Sequence, residues 1–284
     1  MSGPTEVGFE GADGTALVAH ITGAGQPLVC LPGGPMQSSA YLGDLGGLAS
    51  HRPLLLLDPR GTGGSAVPAD VATYRCDRQV DDLEALRRHP GADRLDLLAH
   101  SAGAAIAVLY AARYPERVGS LVLVAPSPRV VGVEVTDADR RAVVEQRRDE
   151  PWFPTAWAAF ERIWSGHATA ADADAITPFL HGRWDEERRD LLPALDAGRN
   201  DEAAAAYYDL DLDVDGTRAA LGALRAPVLL VAGELDVALP PARAADYAAL
   251  FPDATLAAQP GAGHYPWLDD PERFVSAVSG FRPR

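Results

Sequence analysis

Short, almost wholly apolar runs recur along the first half of the chain: Pro27 to Leu31, Leu54 to Asp58, Leu95 to Leu98 and Leu121 to Ala125. Runs of this length without polar alternation suit strands buried on both faces of a parallel sheet. Helical patterns separate them. Val80, Leu83 and Leu86 fall on one face of a helix predicted from Arg78 to His89, with Asp77 as its N-cap. Ala104 to Tyr114 is rich in Ala and Leu and reads as a second helix, and Tyr41 to Ser50 as another, interrupted by glycines. At the start, Val7 to Phe9 and Ala16 to Ile21 flank Gly11-Ala12-Asp13-Gly14, a hairpin signal. Strand and helix in alternation predict an α/β fold with a doubly wound, mostly parallel sheet.

The pattern breaks after Pro126. Residues 127–222 show no convincing strand and carry helical runs at Asp137 to Arg148, Thr155 to Trp164 and Asp201 to Tyr208. Four of the five tryptophans, Trp152, Trp157, Trp164 and Trp184, lie in this stretch. The alternation resumes at Pro227 with Pro-Val-Leu-Leu-Val-Ala. The expectation is a core built from 1–126 and 223–284, with 127–222 as a helical cap over the carboxyl ends of the strands. Doubly wound folds bind ligands there, so the cap aromatics are expected to line a substrate pocket.

The apolar share, 47% of 284 residues, is enough for one large domain or a core with a lid. A formal charge of −15 argues against nucleic acid or an anionic membrane as partner. All 25 basic residues are arginine. Schiff-base, pyridoxal-phosphate and P-loop chemistries need a lysine, so the sequence excludes them. Two cysteines, Cys30 and Cys76, make no disulfide framework. The seven histidines show no metal-ligand spacing, so no metal and no cofactor is expected. Met1 to Val7 lacks the features of a leader, and no apolar run reaches membrane-spanning length. The expected setting is cytoplasmic, and the oligomeric state is left open.

The candidate chemistry begins at Ala99-His100-Ser101-Ala102-Gly103, between the Leu95 run and the Ala104 helix. A serine on a tight strand-to-helix turn, with small residues two before and two after, has the form of a nucleophile elbow. Asp236 follows the Pro227 run, and His264 sits in the glycine-rich loop Gly261-Ala262-Gly263-His264. The order Ser101, Asp236, His264 is that of α/β-hydrolase triads. Their spacing leaves room for one helix and one strand between Asp236 and His264. Acyl transfer also needs backbone N–H groups aimed at an oxyanion. Ala102, after the serine, supplies one expected donor, and Pro32-Gly33-Gly34-Pro35 supplies the other at Gly34 or, next, Gly33.

These motifs resemble the α/β-hydrolase superfamily over the whole chain, and proline iminopeptidases within it. Pro32-Gly33-Gly34-Pro35-Met36 is similar to that family's His-Gly-Gly-Pro-Gly loop. Asp58-Pro59-Arg60-Gly61-Thr62-Gly63-Gly64-Ser65 resembles its Asp-x-Arg-Gly-x-Gly-x-Ser loop. Trp157-Ala158-Ala159-Phe160-Glu161 is similar to its cap motif Trp-x-x-Trp-Glu. Pro32 departs from the motif histidine, Met36 from its last glycine, and Ala99-His100-Ser101-Ala102 from Gly-Gly-Ser-Trp. The resemblance implies a cofactor-free serine hydrolase acting on a small molecule or short peptide. It also implies cap carboxylates, here Glu161 or Glu202, that hold a substrate ammonium group. Trp157 and His100 complete the candidate substrate-binding set. The alternatives are a carboxylesterase, lactonase or thioesterase, a haloperoxidase-like or C–C bond hydrolase, and a non-catalytic binding protein that keeps the fold.

Overall fold

The apolar runs assemble into one eight-stranded sheet, seen in a computed structural model that describes residues 4–281. Met1 to Gly3, the opening of the stretch read above for leader features, lies outside the described residues. The strands are β1 (Thr5–Glu10), β2 (Ala16–Thr22), β3 (Leu28–Leu31), β4 (Leu54–Leu57), β5 (Leu95–His100), β6 (Val118–Val124), β7 (Val228–Gly233) and β8 (Ala254–Gln259). They pair in the order β1-β2-β4-β3-β5-β6-β7-β8. The hairpin β1–β2 and the β2–β4 pair are antiparallel, and all pairs from β4 onward are parallel.

The two-residue repeat of a strand divides each run between two cores. Leu97, Ala99, Leu121, Leu123, Leu230 and Ala232 face one cluster, and Leu98, Val122, Val124, Leu229 and Val231 face the other. Both clusters are buried, which is why these runs are apolar on both faces. Helices α1 (Val80–Arg88) and α2 (Gly103–Arg113) follow β4 and β5. Between β6 and β7 come α3 (Asp137–Val144), α4 (Phe153–Trp164), α5 (Ala170–Ala175), α6 (Glu186–Asp196), α7 (Asp201–Ala206) and α8 (Val214–Leu221). A separate aromatic cluster binds part of this stretch, with Phe160 and Phe179 at its centre. Helices α9 (Pro241–Ala248), α10 (Pro266–Asp269) and α11 (Pro271–Gly280) complete the chain.

Two local expectations are corrected. Tyr41 to Ser50 is not one helix but two short 3₁₀ turns, Ser39–Leu42 and Leu48–Ser50. Gly43, Leu45, Gly46 and Gly47 between them take positive φ, which no right-handed helix accommodates. Asp77 does not cap α1. Gln79 holds that position, and the Asp77 carboxylate is paired with Arg75 at 2.8 and 3.0 Å.

Candidate active site

The sheet's central strands end at one edge, and the loops leaving them converge there. Strand β5 stops at His100, and α2 starts at Gly103, so the chain must reverse within two residues. Ser101 makes that turn at φ +49, a region few non-glycine residues occupy and one that costs on the order of 1–3 kcal/mol. The turn is pinned by its neighbours: Ser101 N–H donates to Val124 O at 3.0 Å, and Ser127 N–H donates to Ser101 O at 2.9 Å. Helix α2 then runs so close to β3 that a Cβ at Gly103 would collide with the carbonyl oxygens of Leu31 and Pro32. A Cβ at Gly33 would lie 2.8 Å from Ser101 Cβ. Ala99, two residues before the serine, is fully buried, and its single methyl group is accommodated.

Asp236, three residues past β7, is fully buried, and Ala238 N–H donates to its Oδ1 at 2.8 Å. His264 follows β8, and its Nδ1 lies 3.0 and 3.2 Å from the two Asp236 oxygens. Its Nε2 lies 2.9 Å from Ser101 Oγ. A carboxylate can only accept, so Nδ1 carries the proton and donates it to Asp236. Nε2 is left as the acceptor facing the serine hydroxyl. This is the tautomer a general base needs. The structure therefore brings together three residues separated by 163 and 28 positions in sequence.

The expected oxyanion donors divide. Gly33 is corrected: its N–H donates to the Tyr41 hydroxyl at 2.7 Å and is spent. Gly34 and Ala102 N–H have no acceptor among the described residues. His100 is corrected as a substrate-binding residue. It is buried, with Nδ1 2.7 Å from Tyr41 Oη and Nε2 2.9 Å from His264 O. The carbonyl fixes its tautomer: Nε2–H donates, and Nδ1 accepts from the Tyr41 hydroxyl. Burial, and then the neighbouring His264 ring, push His100 well below its ordinary value, so it stays neutral. Gly33, Tyr41, His100 and His264 thus form one directed chain of hydrogen bonds across three loops.

The two expected ammonium-binding carboxylates, Glu161 and Glu202, both lie at the surface. Glu161 is exposed on α4, with its carboxylate 2.5 Å from Arg141. Glu202 is exposed on α7, whose other face buries Ala203. No hydrogen bond or ion pair joins either residue to Ser101, His264 or Asp236. Trp157 stacks between Phe153 at 5.5 Å and Phe160 at 5.6 Å, inside an aromatic column of the segment between β6 and β7. The Asp58 loop is scaffold. Asp58 is buried and accepts from Ser39 N–H at 2.8 Å, Ser39 Oγ at 2.7 Å and Gly64 N–H at 2.9 Å. Arg60 bridges Asp82 and Asp13, the latter at 2.8 Å.

Sequence reasoning missed Tyr41 and Tyr207 at this site. Tyr207 Oη donates to Ala102 O at 2.9 Å from the far end of α7. Neither sits in a motif, and their partners are distant in sequence, so no local signal marks them. Among the described residues no group of three or more His, Cys, Asp or Glu side chains is arranged to hold a metal ion. No helix among them is long and apolar enough to cross a membrane.

A family profile described as alpha/beta hydrolase fold matches residues 26–271. A proline iminopeptidase of Heyndrickxia coagulans is 36% identical over 104 residues, which cover 37% of this chain and 36% of that protein. The matched stretch thus spans little more than a third of that relative. A pimeloyl-[acyl-carrier protein] methyl ester esterase of Nitrosomonas europaea is 31% identical over 265 residues, covering 90% of this chain and 96% of the relative. Among solved structures, a proline iminopeptidase of Mycobacterium smegmatis superposes with a TM-score of 0.72 at 22% identity, covering 98% of this chain and 97% of the other.

Proposed function

The chain belongs to the α/β-hydrolase fold family, and on that premise we propose that it is a serine hydrolase of small carboxylic esters, with amides as the second substrate class. The observation that carries this reading is the unbroken hydrogen-bond chain Asp236–His264–Ser101, with the serine on a positive-φ turn. Ser101 Oγ attacks the carbonyl carbon while His264 Nε2 takes its proton. Asp236 holds the imidazole in that tautomer and stabilises the imidazolium. Gly34 and Ala102 N–H receive the oxyanion. His264 then returns the proton to the leaving alcohol or amine, and water repeats the sequence on the acyl-enzyme. The helical stretch 127–222 serves as the lid that shapes the substrate space.

Ester specificity is favoured by the relative that matches over nearly its whole length, which is named for a methyl ester. It is also favoured by the solvent exposure of Glu161 and Glu202, which leaves no buried cap carboxylate among them for an ammonium group. The aminopeptidase reading is kept as the second one, because of the 36% identity to a proline iminopeptidase over part of the chain. A panel of p-nitrophenyl esters beside prolyl-naphthylamide separates the two. The reading expects ester turnover, fluorophosphonate labelling of Ser101, and loss of both in Ser101→Ala. Labelling that survives Ser101→Ala would sink it.

A further inference from the structure

Asp269 stands outside the proposed triad, yet it holds the loop that carries His264. It lies at the end of α10, five residues after the histidine, and its side chain is only 4% exposed. One oxygen, Oδ2, accepts from Gly263 N–H at 2.8 Å and from Gly182 N–H at 3.0 Å. The first amide belongs to the residue preceding His264. The second comes from the segment between β6 and β7. The other oxygen lies 3.3 Å from Arg188 Nη2, which also donates to Leu268 O at 2.8 Å. Arg188 is on α6 and is 1% exposed, with Nε and Nη1 unpartnered. Asp269 is the carboxylate paired with it among the described residues.

The two segments pack backbone against backbone. His264 N–H donates to Leu180 O at 2.7 Å, and Arg147 Nη1 donates to His181 O at 2.8 Å. The His181 ring stacks on Tyr265 at 5.1 Å. A Cβ at Gly182 would collide with Gly261 O and sit 2.9 Å from Asp269 Cγ. The backbone at 263 and 264 therefore has three ties: to Asp269, to Leu180 and to His100. One of them comes directly from residues 180–182, and another runs through the carboxylate that also holds that segment.

We propose that Asp269 is a positioning residue: with Arg188 it latches the strap Leu180–Gly182 of the helical cap to the His264 loop, so that cap docking sets the imidazole against Ser101. The latch rests on the serine-hydrolase reading given above. It acts through the position of His264 and touches no reacting atom. Loss of the latch removes none of the three triad side chains but displaces the base by a fraction of its hydrogen-bond length. A misplacement of about 1 Å costs up to about 10²-fold in rate.

The test separates the acceptor role of Asp269 from its charge. In Asp269→Leu with Arg188→Met, both amides lose their acceptor and no buried charge is left unpaired. In Asp269→Asn with Arg188→Met, one amide oxygen still accepts from Gly263 and Gly182. Competent sites are counted by fluorophosphonate titration, and kcat is expressed per site. The latch predicts a fall of about 10- to 100-fold in kcat for the leucine variant, with KM within about threefold, and recovery to within about threefold in the asparagine variant. Gly182→Ala, which alters no ionisable group, is expected to give the same loss in kcat and guards against a leucine variant that fails to fold. If kcat per site in either the folded leucine variant or Gly182→Ala stays within threefold of the parent, the latch is refuted. If the parent is not labelled at Ser101, it is the hydrolase reading that fails.

Discussion

Asp236→Asn tests the proposed mechanism most sharply, because the structure dictates which way the new amide must point. Ala238 N–H donates to Asp236 Oδ1 at 2.8 Å, so that position keeps an oxygen. The amide nitrogen then falls where Oδ2 stood, 3.0 Å from His264 Nδ1. A donor now stands nearest Nδ1, with the retained Oδ1 at 3.2 Å, so the tautomer in which Nδ1 accepts is favoured. The proton moves to Nε2, which lies 2.9 Å from Ser101 Oγ and becomes a donor to the hydroxyl it should deprotonate. Packing is unchanged, since the side chain is isosteric and fully buried. The same tautomer error in serine triads costs about 10⁴ in kcat, or about 5 kcal/mol of transition-state stabilisation. The assay is per-site kcat on a p-nitrophenyl ester, with the thermal midpoint measured on the same sample. A folded variant that retains more than a tenth of the parental kcat would refute both the orientation argument and the role of His264 as base.

Three further outcomes follow from contacts away from that pair. Tyr41→Phe strands Gly33 N–H and His100 Nδ1, and should destabilise the fold by roughly 2–6 kcal/mol in urea titration, since each unsatisfied buried group costs about 1–3 kcal/mol. A loss below 0.5 kcal/mol, on the order of a neutral surface change, would mean water replaces the hydroxyl. Glu161→Gln with Glu202→Gln should leave kcat/KM for prolyl-naphthylamide and for a neutral ester within about threefold of the parent, because both carboxylates are exposed; a selective loss on the amine substrate would restore the aminopeptidase reading. Glu84 is held down at about 2 by hydrogen bonds from Arg87, against an ordinary 4.5. Its folded form is the more acidic, so its contribution is complete above about pH 4.5 and is lost as pH falls through 2. The acid limb of the stability curve should flatten in Glu84→Gln, by about 3 kcal/mol at most.

The strands and the order of the three site residues were legible because both are written locally. Apolar runs of four to six residues name buried strands, and a serine, an aspartate and a histidine each sit just past a strand end. The errors have one physical source. Whether a group is free depends on partners far along the chain, and no local pattern contains them. Gly33 looked like an oxyanion donor until Tyr41 took its amide, and His100 looked like a pocket residue until His264 O and Tyr41 took both nitrogens. Glu161 matched a motif, yet Arg141, twenty residues earlier, holds it at the surface. Asp77 and the 41–50 segment failed for a smaller reason, since a nearby arginine and a set of positive-φ residues outweighed helix propensity.

The placement of the indole rings equips this protein with an optical reporter. Trp152, Trp157, Trp164 and Trp184 all lie between β6 and β7, while Trp267 is sealed in the core beneath the His264 loop. Trp164 stacks on Phe160 at 4.2 Å, Trp152 meets Phe179 edge-on at 5.2 Å, and Trp184 lies 5.4 Å from the His181 ring on the strap. A shift of the 127–222 stretch against the sheet changes first the surroundings of the ring nearest the strap, Trp184. Intrinsic fluorescence in a stopped-flow instrument would therefore report any such shift during turnover without an attached dye. Trp184→Phe would show whether the signal originates at the strap or in the aromatic column.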